Sequence, residues 1–434
     1  MLKTLSPAAL KTIGNAGWLM TDRIIRMAFG LVVGVWLARY LGPAQFGILN
    51  FAISLVALMG TVTTLGLDSI IVRSLLHDTS HSGEILGTAF ALRFWAAFST
   101  CLLILLTSGW THASGDVTPL LVSILSTILV FQSTDVIDSY FLSRVQSKFT
   151  AVVRISAFLI GTAFRLLLIL LHEPLWWFAL TYAIEAALTS VGFAMAYHWA
   201  GGVFLMWRTR RSRAVELLKQ SWPVLFSGMA IMVYMRIDVI MLEAMQGARA
   251  VGIYATATRI SEVWYFVSTA IVSSVSPAII QSVDNPRIYY ARIQQLFSLM
   301  SLISLVIGSC IALSSKLIIH LLYTDAFSAA APVLAIHVWA SIFVFLGVAQ
   351  SPWDLSQNLL KLSFYRTLSG AVANISLNLV LIPKYAALGA AVATVASYGV
   401  SAVVGNAFNV RTRPIFYMQL KSLYLSNLWT ARLR

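Results

Sequence analysis

Apolar runs of about 20 residues or more recur along the whole chain, and that is the length an α-helix needs to cross the hydrocarbon core of a bilayer. Runs of this number and length do not fit inside one soluble core. Composition agrees: 59% of the 434 residues are hydrophobic and 11% are charged, whereas a soluble globular chain carries about 25% charged residues. Breaking the sequence at charges, prolines and polar clusters predicts twelve helices, near 12–38, 46–72, 84–108, 119–141, 153–171, 175–200, 222–245, 251–280, 293–314, 331–352, 365–382 and 388–409. The expected fold class is an all-α integral membrane protein with twelve transmembrane helices.

The basic residues set an expected orientation. With the amino terminus in the cytoplasm, 20 of the 30 lysines and arginines fall in cytoplasmic segments, 4 on the opposite side and 6 within helices. This bias satisfies the positive-inside rule and puts both termini in the cytoplasm. It also accounts for most of the +14 net charge by a basic surface facing anionic lipid, without nucleic acid. Lys3 and Lys11 precede the first apolar run with no compact apolar region and small-residue cleavage site behind them, so the start reads as a cytoplasmic tail and not a removed signal peptide. Cys101 and Cys310 lie in apolar runs and read as small hydrophobes; their number and spacing imply no disulfide framework, metal site or redox pair.

Three divisions follow: a six-helix lobe over 1–206, a basic cytoplasmic linker over 207–221, and a second six-helix lobe with its tail over 222–434. The basic stretch 206–222, "MWRTRRSRAVELLKQSW", reads as a solvated linker held at the lipid surface. A shift of 205 residues lays "LGPAQFGILNFA" (41–52) over "QGARAVGIYATA" (246–257), matching Gly42 with Gly247 and Gly47 with Gly252. Each half holds an even number of helices, so the repeat is expected to be parallel, as in transporters with a site between halves. The longest clear loop opposite the cytoplasm, 108–119, is about a dozen residues, too short for a sizeable extramembrane domain.

The stretch "WLARYLGPAQFGILNFAISLVALMGTVTTLGLDSIIVRSLL" (36–76) resembles the bacterial polysaccharide exporters, the Wzx-type flippases of O-antigen and capsule assembly, which share a superfamily with the MATE multidrug extruders. "VGIYATATRISEV" (251–263) and "ANISLNLVLIPKYAALGAAVAT" (373–394) carry the same resemblance. It implies two six-helix lobes around a cavity, a MATE-like arrangement in the bacterial inner membrane. It implies movement of a polyprenyl-pyrophosphate-linked oligosaccharide from the cytoplasmic to the periplasmic leaflet. No enzymatic activity or cofactor is implied. The expected partners are that substrate, membrane lipid and polysaccharide polymerase or assembly machinery, with the chain itself a monomer.

The residues point the same way by themselves. Arg23, Arg26, Arg93, Arg165, Arg236 and Arg259 lie within predicted helices, as do Asp22, Asp68, Asp135, Asp138, Glu185, Asp238 and Glu262. A central Arg or Asp costs about 2.5–3.5 kcal/mol to insert, so these side chains must face protein, a watery cavity or the headgroups. Asp68, Asp135 and Asp138 lie near cytoplasmic helix ends and are expected to reach water or pair with Arg73 and Arg144. Asp22 and Arg26 are four apart and share a helix face, as do Arg259 and Glu262 at three apart. Arg23 is left as surplus charge. Arg236 and Asp238, two apart, point away from each other and need partners on other helices. Arg93 and Arg165 have no acid within reach on their own helices, which leaves an interhelical ion pair or an anion contact.

Arginine suits the anion because its planar fork holds phosphate oxygens and never deprotonates. The six arginines are therefore the expected substrate contacts. Asp22, Glu185 and Asp238 are expected to orient them or to carry a coupled proton or sodium ion. Two other readings remain open: a MATE-like small-molecule extruder, and a membrane polysaccharide polymerase or ligase.

Overall fold

The computed structural model describes residues 7–108 and 117–424, with side chains from residue 14 onward. The region 109–116, which holds most of the predicted loop, lies outside the described residues, as do Lys3, Arg432 and Arg434. Every regular element among the described residues is helical. Fifteen α-helices run in order: α1 Pro7–Thr63, α2 Asp68–His77, α3 Ser82–Ser108, α4 Thr118–Phe131, α5 Val136–Ser143, α6 Lys148–Leu170, α7 Leu175–Trp199, α8 Arg211–Gln246, α9 Ala248–Glu262, α10 Tyr265–Ile280, α11 Pro286–Leu322, α12 Ala330–His337, α13 Ala340–Ser356, α14 Leu360–Ala402 and α15 Arg413–Leu423.

Ten helical stretches are long and apolar enough to span a membrane. Two of them contain a break. Gly42 interrupts α1 at φ 71°, ψ 171°, and Ala386 interrupts α14 at φ 48°, ψ −128°. Both breaks fall in gaps predicted from the sequence, and counting each side separately makes twelve segments. The chain is thus an all-α, multi-pass membrane protein. Helix ends differ from the hydropathy boundaries. α8 has 36 residues, about 54 Å at 1.5 Å per residue, which exceeds a hydrocarbon core of about 30 Å. It begins at Arg211, eleven residues before the predicted 222, because hydropathy registers only the apolar part of a helix.

The chain divides into two compact units, residues up to Tyr40 with Ala52–Met232, and Leu41–Phe51 with Val233 onward. In the first, the core at one end joins α2, α3, α5, α7 and α8 through Ile71, Ile85, Leu86, Phe141, Phe193 and Leu217. The basic stretch is part of this packing. Met206 and Arg208 lie so close to α3 that a Cβ on Gly83 would sit 2.4 Å from the Met206 carbonyl oxygen, and one on Gly87 would sit 2.7 Å from the Arg208 nitrogen. The stretch predicted to be solvated therefore docks on a helix, where glycines let its backbone approach.

In the second unit, the core is built by α10, α11, α13 and α15 around Phe297, Met300, Phe345 and Ile415. The glycines paired by the 205-residue shift behave alike. Gly247, at the start of α9, has φ 78° and ψ 175°, nearly the conformation of Gly42. A Cβ on Gly47 would lie 1.7 Å from the Ala248 carbonyl oxygen, and one on Gly252 would lie 1.9 Å from that of Pro43. Equivalent glycines thus allow reciprocal backbone approaches.

Candidate functional site

In the first unit the charges of the membrane segments are mostly paired. Asp22 and Arg26 form a two-pronged ion pair, Nη2–Oδ2 2.8 Å and Nε–Oδ1 2.8 Å. Asp22 is buried and Arg26 half-buried, while Arg23 is exposed and forms no ion pair among the described residues. Arg93, 2% exposed, donates from Nη2 to Asp68 at 2.6 Å. Arg165 is also buried. Its Nη2 donates to Glu185, its Nε donates to the Thr181 hydroxyl at 3.1 Å, and its guanidinium stacks over Tyr182, 3.9 Å from the ring centre. Both arginines that lacked an acid on their own helix thus carry an interhelical ion pair. The expected partners of the end-lying acids differ too: Asp138 pairs with Arg154 at 2.9 Å, Arg73 donates to Gln220, and Arg144 stacks on Tyr140. Sequence spacing fixes which residues share a helix face but leaves open which helices become neighbours.

A cavity of about 580 Å³ lies inside this unit, lined by segments of α1, α4 and α8 together with Gln132 and Tyr182. Its wall is mainly aliphatic, with Thr61, Thr64, Gln132 and Tyr182 supplying the polar atoms. None of the six arginines lines it. Tyr182, on which the Arg165 guanidinium stacks, is one of the lining residues.

In the second unit Asp238 is the centre of a buried network. It accepts hydrogen bonds from the Tyr254 hydroxyl, from the Thr394 hydroxyl at 3.3 Å and from the Val239 amide at 2.8 Å. Next to it, Ser397 donates to the Thr394 carbonyl, Asn374 donates to Ser397, and Asn378 donates to Asn374. The Asn378 Oδ1 is buried without a partner. Arg236 is half-buried, and its main electrostatic interactions are with Glu262 and then Asp238. Glu262 in turn interacts more with Arg236 than with Arg259, the residue sharing its helix face. Arg259 instead lies over the Phe46 ring, 5.4 Å from its centre. Among the described residues, Arg236 and Arg259 form no ion pair within 4.0 Å.

The six arginines therefore separate into two groups: Arg26, Arg93 and Arg165 form ion pairs within 4.0 Å, whereas Arg23, Arg236 and Arg259 form none among the described residues. No group of three or more His, Cys, Asp or Glu side chains able to hold a metal occurs among the described residues. The Asp238 carboxylate is held by three hydrogen-bond donors, with the hydroxyls and amides of Thr394, Ser397, Asn374 and Asn378 continuing the network beyond it. Tyr254, Thr394, Asn374 and Asn378 were not singled out in the sequence as partners of Asp238 or of one another. Asn374 and Asn378, four apart inside an apolar run, were the available signal.

The sequence profile of the polysaccharide biosynthesis protein family matches residues 13–283. The chain belongs to that family. The MatE profile also matches, over residues 223–380. No curated protein matches the chain in sequence. Among solved structures, the lipid II flippase MurJ in an inward closed conformation superposes with a TM-score of 0.74, covering 97% of this chain and 93% of that one at 14% identity. An inward-facing multidrug resistance MATE transporter of the MOP superfamily gives 0.68, with 93% and 96% covered at 13% identity. A MOP superfamily transporter from Pyrococcus furiosus gives 0.59, with 96% of both chains covered at 13% identity. The family member thus has the fold that a lipid II flippase shares with MATE transporters.

Proposed function

We propose that the protein is a flippase that moves a polyprenyl-pyrophosphate-linked oligosaccharide from the cytoplasmic to the periplasmic leaflet of the inner membrane by alternating access. The observation that carries this reading is the polysaccharide biosynthesis profile over residues 13–283, on a chain whose fold is also that of a lipid II flippase. The physical problem is the pyrophosphate: moving an isolated ion into a low-dielectric medium costs tens of kcal/mol in the Born limit, and fixed guanidinium groups offset that cost. Arg23, Arg236 and Arg259, which form no ion pair within 4.0 Å among the described residues, take this role. Arg93 and Arg165 hold neighbouring helices in register through Asp68 and Glu185, while Arg26 is paired with Asp22 on its own helix. Asp238, held by hydrogen bonds from Tyr254 and Thr394, carries the coupled proton or sodium ion.

A deletion strain is expected to accumulate lipid-linked oligosaccharide on the cytoplasmic face of its inner membrane. The wild-type gene is expected to relieve this, and Arg23→Ala/Arg259→Ala to leave most of it. Unchanged leaflet distribution in the deletion strain removes the reading.

The MatE profile over residues 223–380 favours a second reading, a small-molecule extruder. Arginines without a close ion pair repel cationic drugs, so the deletion strain is not expected to gain sensitivity to such compounds. A gain that the wild-type gene reverses would favour the extruder.

A further inference from the structure

One cavity has no part in the proposed flippase path. It measures about 230 Å³ and lies on the flank of α3 beside the start of α8, with Thr88, Ala91, Leu92, Trp95, Arg210 and Arg211 among its walls. The four α3 residues stand at i, i+3, i+4 and i+7, so they form one face about 10 Å long. The arginines sit at its Thr88 end, where the Arg210 amide donates to the Thr88 hydroxyl at 3.2 Å. The indole and aliphatic carbons make up the other end.

The charges around the cavity are unevenly paired. Arg213 alone contacts three acids, Asp78 at 3.1 Å, Glu84 at 3.3 Å and Glu216 at 3.0 Å. Asp78, which lies outside the membrane segments, is held down to a pKa of about 2, chiefly by its hydrogen bond from His81, and so stays ionised for Arg213. Arg210 touches Glu84 at 3.3 Å with its side chain 68% exposed. Arg211 is exposed and forms no ion pair among the described residues. Both arginines closely follow backbone docked on Gly83 and Gly87, and the Arg210 amide is tied to α3 through Thr88. Beyond the cavity, α3 continues as an exposed apolar stripe through Trp95, Phe98, Leu102 and Leu106.

We propose that this cavity binds the headgroup phosphate of an anionic phospholipid in the surrounding leaflet, with one acyl chain running along Trp95, Phe98 and Leu102. The guanidinium groups of Arg210 and Arg211 take the phosphate oxygens, as basic pockets beside membrane helices do with anionic lipids. A free anion has no use for the apolar stripe. A choline headgroup finds no unpaired carboxylate, because Arg213 occupies the nearby acids. The bound lipid links α3 to the start of α8 and holds the basic stretch at the membrane surface.

The test uses the purified full-length protein, stripped of native lipid in detergent. It is titrated with phosphatidylglycerol, phosphatidylcholine, inorganic phosphate or a polyprenyl pyrophosphate, and bound lipid is counted by native mass spectrometry. Phosphatidylglycerol is expected to bind in preference to phosphatidylcholine. Arg211→Ala is expected to weaken that binding about fivefold, the worth of one basic residue at a membrane surface. Ala214→Phe, which fills the cavity wall without altering charge, is expected to weaken it similarly. Lys219→Ala removes an exposed charge outside the cavity and is expected to leave binding unchanged. Equal losses from Arg211→Ala and Lys219→Ala, or no preference between the two phospholipids, would overturn the proposal in favour of diffuse surface charge. Displacement by inorganic phosphate would make the site one for free anions. Displacement by polyprenyl pyrophosphate below equimolar amounts would make it a substrate site.

Discussion

Replacing Gly252 with alanine places one methyl group where the second unit has no room. Its Cβ would lie 1.9 Å from the Pro43 carbonyl oxygen and 2.8 Å from the carbonyl carbon. Real Cβ contacts stay above 3.0 Å, so the Pro43 backbone must withdraw by about 1.1 Å in an interior that is close-packed and transmits strain. Overpacking costs about 1–3 kcal/mol. The upper end applies because the obstacle is backbone and cannot rotate away. At about 2–4 °C per kcal/mol for a unit of this size, the apparent Tm should fall by at least about 5 °C. Gly228→Ala is the control, since its Cβ would meet Thr61 Cγ2 at an ordinary 3.5 Å and alanine favours the helix by about 1 kcal/mol. The measurement is thermal unfolding of both variants in one detergent, followed by tryptophan fluorescence and size-exclusion chromatography. A Gly252→Ala protein as stable as Gly228→Ala would refute the close approach between the glycine-flanked segments.

Other perturbations follow from the buried charges. Asp354→Ala leaves Arg366, 11% exposed, without the acid it contacts at 2.5 Å; a loss of about 3–5 kcal/mol should appear as a large fall in Tm, whereas the double change Asp354→Leu/Arg366→Met should be milder. Arg165→Lys cannot keep the Glu185 pair, the Thr181 bond and the Tyr182 stack together, because a lysine lacks the planar fork; a Tm below wild type is expected, and Glu185→Gln should lower it further by stranding a buried charge. Asp238→Asn should remove any dependence of flipping on proton or sodium gradients in vesicles while the protein still folds; gradient dependence equal to wild type would dismiss Asp238 as the coupling group.

How far the sequence foretold this structure depends on which property carried the signal. Hydropathy located the spans, and even the breaks at Gly42 and Ala386, because a lapse in apolar character between two long runs is visible in one dimension. The match of Gly42 with Gly247 was legible because a positive φ is easy only for glycine. Ion-pair partners were not legible. Arg93 finds Asp68 25 residues away and Arg165 finds Glu185 20 residues away, on neighbouring helices whose identity no spacing rule gives. Asp354 and Arg366 escaped notice because Asp354 lies just past the predicted end of its span. The hydroxyls and amides around Asp238 are neutral, so they barely disturb hydropathy, and the docking of 206–213 depends on Gly83 and Gly87, which carry no charge signal.

The most direct test of the central claim is leaflet transfer by the purified protein. Vesicles are loaded on one leaflet with a polyprenyl-pyrophosphate-linked oligosaccharide, and its appearance on the other is read with a membrane-impermeant pyrophosphatase. Transfer well above protein-free vesicles is expected, with strong slowing by Arg23→Ala/Arg259→Ala and none by excess cationic drug. Transfer at the protein-free rate by a folded, correctly inserted protein would contradict the flippase assignment.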